Sequence, residues 1–298
     1  MPSKRVSVQG RPLPEWPQDA PAREAFVAYV QERGRELYRD LPWRGIVDPY
    51  AVLVSEVMLQ QTQVKRVLSY WPRFLSAFPT LDALAAASTS DVLELWQGLG
   101  YNRRALALKR CADKCSCENG GKLPESADEL VKLPGIGPAT AAGVVSFAFD
   151  RPALYLETNV RTVFLHELFP GKDGVKDTEI APLVQMTCPQ QGVRAWYYAL
   201  LDYGAHLKSV LPNPSRRSAH HMRQSAFEGS RRQKRAELVR IVLASAPEGI
   251  SVEAAALALD GEERAAGRPG VDAELVRSIA QDLAAEGFFK LEGGVLLP

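Results

Sequence analysis

The sequence predicts a mainly all-α protein that ends in a small winged-helix-like domain, and three observations carry that reading. Apolar residues recur at three- and four-residue spacing through most of the 298 residues, which is the period of an amphipathic helix. Helix-start signals fall where those patterns begin. The final stretch, "FFKLEGGVLLP", breaks the period and sets two short apolar runs around Glu292-Gly293-Gly294, a hairpin signal.

In chain order, a Pro-rich N-terminal tail (1–22) precedes helical patterns in "REAFVAYVQERGRELY", "PYAVLVSEVMLQQ", "VKRVLSYWPRFLSAF", "LDALAAAS", "TSDVLELWQGLG" and "RRALALKRCADKC". Asp48-Pro49 sets a cap ahead of a proline at the first helical position, and Ser126 with Glu129 in "SADELVKL" forms a capping box. "GSRRQKR", from Gly229 to Arg235, is a polar junction. Beyond it, helices at "AELVRIVLASA", "VEAAALAL" and "AELVRSIAQDLAAEG" lead into the hairpin, making 229–298 winged-helix-like; a helical appendage is the alternative. No internal repeat is visible.

Composition narrows the function classes. The apolar share of 46% is ordinary for a soluble globular chain. No run approaches the roughly 18 apolar residues of a membrane span, and the N-terminus lacks a signal-peptide core, so a cytoplasmic protein without membrane contact is expected. Four cysteines are too few for a secreted disulfide scaffold. Three crowd into "CADKCSCENG" with no histidine or fourth cysteine beside them, and the expectation is no metal site. Lys plus Arg number 36 against 35 Asp plus Glu. Basic residues nevertheless cluster in "YNRRALALKR", "NPSRRSAHHMRQ" and "GSRRQKR", while acids gather in the last fifty or so residues.

The sharpest local motif is "LVKLPGIGPATAAGVVSFAF", a helix-hairpin-helix. Gly135 and Gly137 let the backbone approach a phosphate, and the free amides of the helix opening at Pro138 supply donors and a favourable dipole. Such a grip holds a DNA backbone without reading a base. A candidate for the base chemistry is Glu56, among Val54, Val57 and Met58. A desolvated carboxyl there keeps its proton and suits a general acid; spacing alone favours a surface glutamate on an amphipathic helix. Glu157, in "PALYLETNVRTV", stands where an apolar run meets a new helix, so it is either a cap or a carboxylate aimed into a cleft.

"LPWR", "SEVMLQQTQV", "WQGLGYNRRA", "LPGIGPATA" and "ETNVRTV", in this order, resemble the adenine DNA glycosylases of the helix-hairpin-helix superfamily, with endonuclease III as a cousin. The resemblance covers roughly Gly34 to Gly204. It implies a glycosylase domain over 23–228, with 23–46 plus 153–228 as one helical subdomain and 47–152, carrying the hairpin, as the other. A DNA groove would lie between them and a flipped base would enter a pocket beside it. By resemblance, Glu56 is the acid that protonates the departing purine, and Glu157 is the second carboxylate, stabilising an oxocarbenium-like sugar and helping direct water. Trp43, Arg44, Asn159 and Tyr198 fall at substrate-contacting positions. Gln61 and Tyr101 match side chains that wedge into the duplex, and Gly135, Gly137, Ala139 and Thr140 form the DNA-binding hairpin. The expected partner is double-stranded DNA with a mismatch or lesion, bound by a monomer, nucleoid-associated if the source is bacterial.

The sequence also departs from the pattern. The family usually has Asp where Glu157 stands; glutamate reaches one methylene further and is a poorer cap. Ala139 replaces the lysine of endonuclease III and the serine or tyrosine of adenine glycosylases, so no Schiff base forms, a monofunctional enzyme is expected, and the pocket floor is enlarged. The relatives' four cluster cysteines, spaced C-x6-C-x2-C-x5-C, become Lys208, Ser215, Ser218 and Gln224, so no iron-sulfur cluster is expected. A monovalent cation at the hairpin is the one ion the resemblance admits. Arg216, Arg217 and Arg223 are expected near phosphate, and His220 and His221 as solvated rather than metal-bound. The segment after Gly229 is too short and too helical for the pyrophosphohydrolase-like domain of relatives that read 8-oxoguanine. Tyr198 stands where a polar base contact is common. The expected reaction is removal of adenine opposite guanine or 8-oxoguanine. Excision of thymine or uracil opposite guanine, and a non-catalytic DNA-binding protein, are the alternatives.

Overall fold

The computed structural model describes residues 20–219 and 226–298. The N-terminal tail up to residue 19, and His220, His221, Arg223 and Gln224, lie outside the described residues. Contacts divide the described residues into two compact units, one from 20–56, 124–132 and 136–219 and the other from 57–123, 133–135 and 226–298.

In the first unit α1 (Ala20–Glu36) packs along α11 (Val193–Val210), which also covers α9 (Thr158–Leu168). Two glycines permit this closeness. A Cβ on Gly34 would lie 2.2 Å from that of Ala199, and one on Gly204 would lie 2.2 Å from the Asn159 carbonyl oxygen. Phe26, Phe164, Trp196, Tyr197 and Tyr203 are fully buried around these helices. The short α7 (Ala127–Leu130) starts at Ser126, whose hydroxyl accepts from the Glu129 N–H at 3.3 Å. It leads through the hairpin into α8 (Pro138–Ala148), buried at every position from Thr140 onward. Within this unit α8 packs with α7 and α11. α10 (Asp177–Thr187) completes the unit beside α9. The start of α2 (Pro49–Leu59) also belongs here, its Tyr50 N–H donating to Asp48 at 3.1 Å as the cap-proline pair predicts.

The second unit packs α3 (Val64–Ala77), α4 (Leu81–Ala86), α5 (Thr89–Trp96) and α6 (Arg103–Glu118) around Phe74, Leu84 and Trp96. It also holds α12 (Arg231–Leu243), α13 (Val252–Ala265) and α14 (Ala273–Glu286), with an antiparallel sheet of order β1-β3-β2. β2 (Lys290–Glu292) and β3 (Val295–Leu297) form the predicted hairpin, turning at Gly293 and Gly294 with φ of 56° and 83°, a conformation that favours glycine. The two-residue β1 (Ile250–Ser251) adds an edge the sequence did not announce.

Candidate active site

Glu56 sits on α2 in the first unit, half-buried and walled by protein. Gly143 of α8 makes the room: a Cβ there would lie 2.3 Å from Glu56 Oε2 and 3.0 Å from the Tyr155 ring. The buried Tyr155 hydrogen-bonds the Glu56 carboxyl. Burial pushes that carboxyl from 4.5 up to about 8; the Tyr155 bond opposes the rise and the Glu157 charge adds to it. At neutral pH Glu56 therefore carries a proton that it can donate.

Glu157 is the N-cap of α9. Its Oε1 accepts from the Asn159 N–H at 2.6 Å and the Val160 N–H at 3.3 Å. The extra methylene that seemed a handicap lets the side chain fold back over two free amides of the first turn. Both bonds fall on Oε1, so the cap engages one edge of the carboxylate. Burial leaves the Glu157 pKa raised above its ordinary value, although these amides and Lys208 oppose the rise. Glu56 and Glu157 thus face unlike surroundings, one apolar and bonded to a phenol, the other fed by backbone donors and a cation. Beside them the Asn159 side-chain oxygen is buried without a hydrogen-bond partner.

Arg44 is 9% exposed, and both its terminal nitrogens meet Asp202 at 2.6 Å. Arg39 Nε meets the same carboxylate at 2.5 Å. The Arg44 guanidinium lies 4.6 Å from the Tyr198 ring centre and 4.9 Å from that of Tyr38, and Tyr198 in turn stacks on Phe147 at 4.9 Å, 8° from parallel. A column Phe147, Tyr198, Arg44, Tyr38 results, in which every member but Tyr38 is buried. Trp43 is buried as well. Sequence reading singled out Arg44 and Tyr198 but missed Asp202, Gly143 and Tyr155. A single buried Asp in "LLDYGA" carries no pattern that names its partner.

Gln61 and Tyr101 belong to the second unit and share one unusual feature, left-handed φ of 54° and 50°. Only strong local support keeps such residues there. Arg104 gives it: its guanidinium donates to the carbonyls of Val57 (2.7 Å), Met58 (3.0 Å), Gln60 (2.5 Å) and Gly100 (3.0 Å) and to the Thr62 hydroxyl (3.0 Å). One side chain therefore ties the turn of Gln61 to the loop of Tyr101. In the hairpin, Gly135 has φ 73° and a Cβ there would lie 2.4 Å from that of Ala107. Gly137, Pro138 and Ala139 are exposed where α8 opens, so Ala139 lies at the surface of the first turn. Thr140, 7% exposed, lies behind that surface.

The segment at the cluster positions is held by hydrogen bonds. Asn213 Oδ1 accepts from Ser215 N–H at 3.0 Å and from its hydroxyl at 2.7 Å, capping a 3-10 turn, Pro214–Arg217. Val175 N–H donates to Arg217 carbonyl at 3.0 Å, and Ala219 N–H to Val175 carbonyl at 2.9 Å. Arg217, expected near phosphate, instead donates to the carbonyls of Phe169 (2.5 Å) and Leu165 (2.7 Å), satisfying the end of α9. Arg216 is exposed. Lys208, Ser215 and Ser218 offer no thiolate, and Cys111, Cys115 and Cys117 lie on α6 in the other unit, so the donors here do not fit an iron-sulfur cluster. Among the described residues no group of three metal-ligating side chains forms, and no helix is long and apolar enough to cross a membrane.

Residues 54–190 match the family described as HhH-GPD superfamily base excision DNA repair protein. The chain is 46% identical over 127 residues to an adenine DNA glycosylase of Mycobacterium tuberculosis, covering 42% of each protein. With that of Mycolicibacterium smegmatis it shares 38% over 169 residues, 56% of this chain and 58% of the relative. With that of Rattus norvegicus it shares 44% over 154 residues, 49% of this chain and 29% of the relative. The alignments thus span from under a third to just over half of these relatives. Among solved structures, a thermostable thymine-DNA glycosylase superposes with TM-score 0.55 at 24% identity, over 61% of this chain and 86% of the other. Endonuclease III in a trapped covalent DNA complex gives 0.52 at 20%, over 62% and 86%. These two likenesses concern the fold.

Proposed function

We propose, from a chain whose residues 54–190 carry an HhH-GPD superfamily base-excision segment, that the protein is a monofunctional DNA N-glycosylase removing adenine mispaired with guanine or 8-oxoguanine. One observation carries the reading: two carboxyls in one unit whose surroundings set them apart, Glu56 protonated to about 8 and Glu157 supplied with amide donors and a nearby lysine. The relatives' printed activity makes adenine the first base to test.

Glu56 gives its proton to a ring nitrogen of the extruded base as the bond from C1′ breaks, and that bond's electrons leave with the base. The resulting sugar cation faces the Glu157 carboxylate, whose cap fixes its orientation. Water adds to C1′, and its released proton returns to the Glu56 carboxylate. An abasic site and an uncut strand are the products, since Ala139 offers no amine at the hairpin position. Asn159, its side-chain oxygen unpartnered, is suited to accept from that water or from the base. Trp43, Arg44 and Tyr198 shape the base pocket. Gln61, Tyr101 and the hairpin residues Gly135, Gly137, Ala139 and Thr140 hold the duplex, and a monovalent cation at the hairpin is compatible with this grip. Residues 229–298 are read as a winged-helix-like domain.

A second reading, thymine or uracil removed opposite guanine, is favoured by Tyr198. Wedged between Phe147 and Arg44, which cover its ring, it offers a base its hydroxyl and ring edge at a position where a polar base contact is common by resemblance. The test incubates the full chain with duplexes bearing adenine opposite 8-oxoguanine or guanine, or thymine or uracil opposite guanine, followed by alkali to cleave abasic sites. Strand cleavage in the adenine duplexes alone supports the first reading, and cleavage at the pyrimidines alone supports the second. Tight binding with no cleavage of any duplex leaves a DNA-binding protein. A borohydride-trapped adduct would overturn the monofunctional assignment.

A further inference from the structure

The C-terminal segment has no part in the chemistry above, yet one of its side chains reaches a residue that does have a part. Arg232, on the first turn of α12, donates from Nη1 to the Tyr101 hydroxyl at 3.2 Å, and its guanidinium lies 5.7 Å from the centre of the Tyr101 ring. The other guanidinium by that ring is Arg104, at 5.4 Å. Tyr101 is thus flanked by one cation from the helix that follows its loop and one from 131 residues away, at a backbone φ of 50°.

Ion pairs fix the segment that carries Arg232. Glu286 of α14 takes both Arg103 of α6, Nε to Oε2 at 2.6 Å, and Arg235 of α12 at 2.6 Å. Arg231 adds a pair to Asp282 at 2.7 Å. Two of the acids near the C-terminus, Asp282 and Glu286, are therefore spent on basic residues of α6 and α12. Exposed pairs contribute little singly, but here they converge on α6 two residues from Tyr101.

We propose that Arg232 is a positioning residue for Tyr101, so that the C-terminal domain is a working part of the element that probes the duplex. This rests on the glycosylase reading, which makes Tyr101 a side chain that enters DNA. An inserting ring gains affinity when it is held in its bound orientation beforehand. The Arg232 hydrogen bond and ring contact, together with Arg104, supply that restraint at a backbone conformation a tyrosine does not hold by itself.

The test is a double-mutant cycle in duplex binding, with 2-aminopurine beside the target base reporting its extrusion. Arg232→Ala and Tyr101→Ala are each expected to weaken binding and extrusion by about ten-fold. The double variant should be no worse than Tyr101→Ala alone, and Arg232→Lys should recover part of the loss. Arg277→Ala breaks an exposed pair with Glu253 elsewhere in the same segment and should leave both readouts unchanged. Multiplicative losses would overturn the proposal, as would an Arg277→Ala defect equal to that of Arg232→Ala. A salt-dependence slope reduced by about one in Arg232→Ala would also overturn it, marking a direct phosphate contact instead. Excision with an additive cycle would sink this proposal alone, coupled binding without excision would sink only the enzyme reading, and no duplex binding at all would sink both.

Discussion

Glu56→Gln is the substitution that separates stability from chemistry. The folded chain holds the Glu56 proton to about 8, whereas the ordinary value is 4.5. At pH 7 the unfolded chain releases this proton and the folded chain keeps it, so the acid favours unfolding. A group with a raised folded-state pKa contributes its full stability below the unfolded value and loses it as pH rises through the folded one. At about 1.4 kcal/mol per pH unit, the interval from 4.5 to 7 costs the fold about 3 kcal/mol, levelling near about 5 kcal/mol above pH 8. Because part of the side chain remains open to solvent, these are upper bounds. Glutamine has the same shape, never ionises, and can still accept the Tyr155 hydrogen bond. Urea unfolding at pH 4, 7 and 9 should therefore show the variant matching wild type at the lowest pH and exceeding it by a growing margin above. Base excision should be lost throughout. A stability difference independent of pH, or a variant less stable than wild type at pH 9, would refute the argument.

Wild-type excision should fall above about pH 8 as Glu56 loses its proton, and at low pH as Glu157 gains one, giving a bell in a rate against pH series. Lys208→Met removes a cation that holds Glu157 ionised, so the acidic limb should shift upward, with Lys208→Arg near wild type; an unmoved limb refutes the role. Gly143→Ala puts a carbon 2.3 Å from Glu56 Oε2, and a displaced acid should cost about 100-fold in single-turnover rate, with duplex affinity within about two-fold of wild type. Asp202→Asn leaves the buried Arg44 charge without its counterion and should destabilise by about 3–5 kcal/mol in denaturant titration.

Much of the architecture was legible because helix period and caps are local properties. Asp48-Pro49 marks the start of α2, Ser126 marks α7, and the paired glycines mark the final hairpin. α8 was legible as a helix, but burial on every side erases the apolar face that would indicate its neighbours. Charge was the least readable property. Arg104 sits in one of the clusters of basic residues, and it spends its fork on carbonyl groups. Arg217 does the same for α9. A guanidinium serves a backbone carbonyl as readily as a phosphate, and only the fold chooses between them.

Glu157 shows how much a residue's position leaves open. Its place after an apolar run allowed a helix cap or a carboxylate aimed into a cleft, and only the resemblance made it catalytic. Bending back to α9, the longer chain puts Oε1 on the Asn159 and Val160 amides. Under the proposed function capping and catalysis are the same contact, because the amides that complete the helix also oppose protonation of the carboxylate. Glu157→Asp tests this identity. A shorter side chain reaches the amides with less bending but withdraws the carboxylate from the sugar's side, so helix stability should hold or rise while the excision rate falls. A variant that loses stability and keeps its rate would show that cap and catalyst are separate functions of this residue.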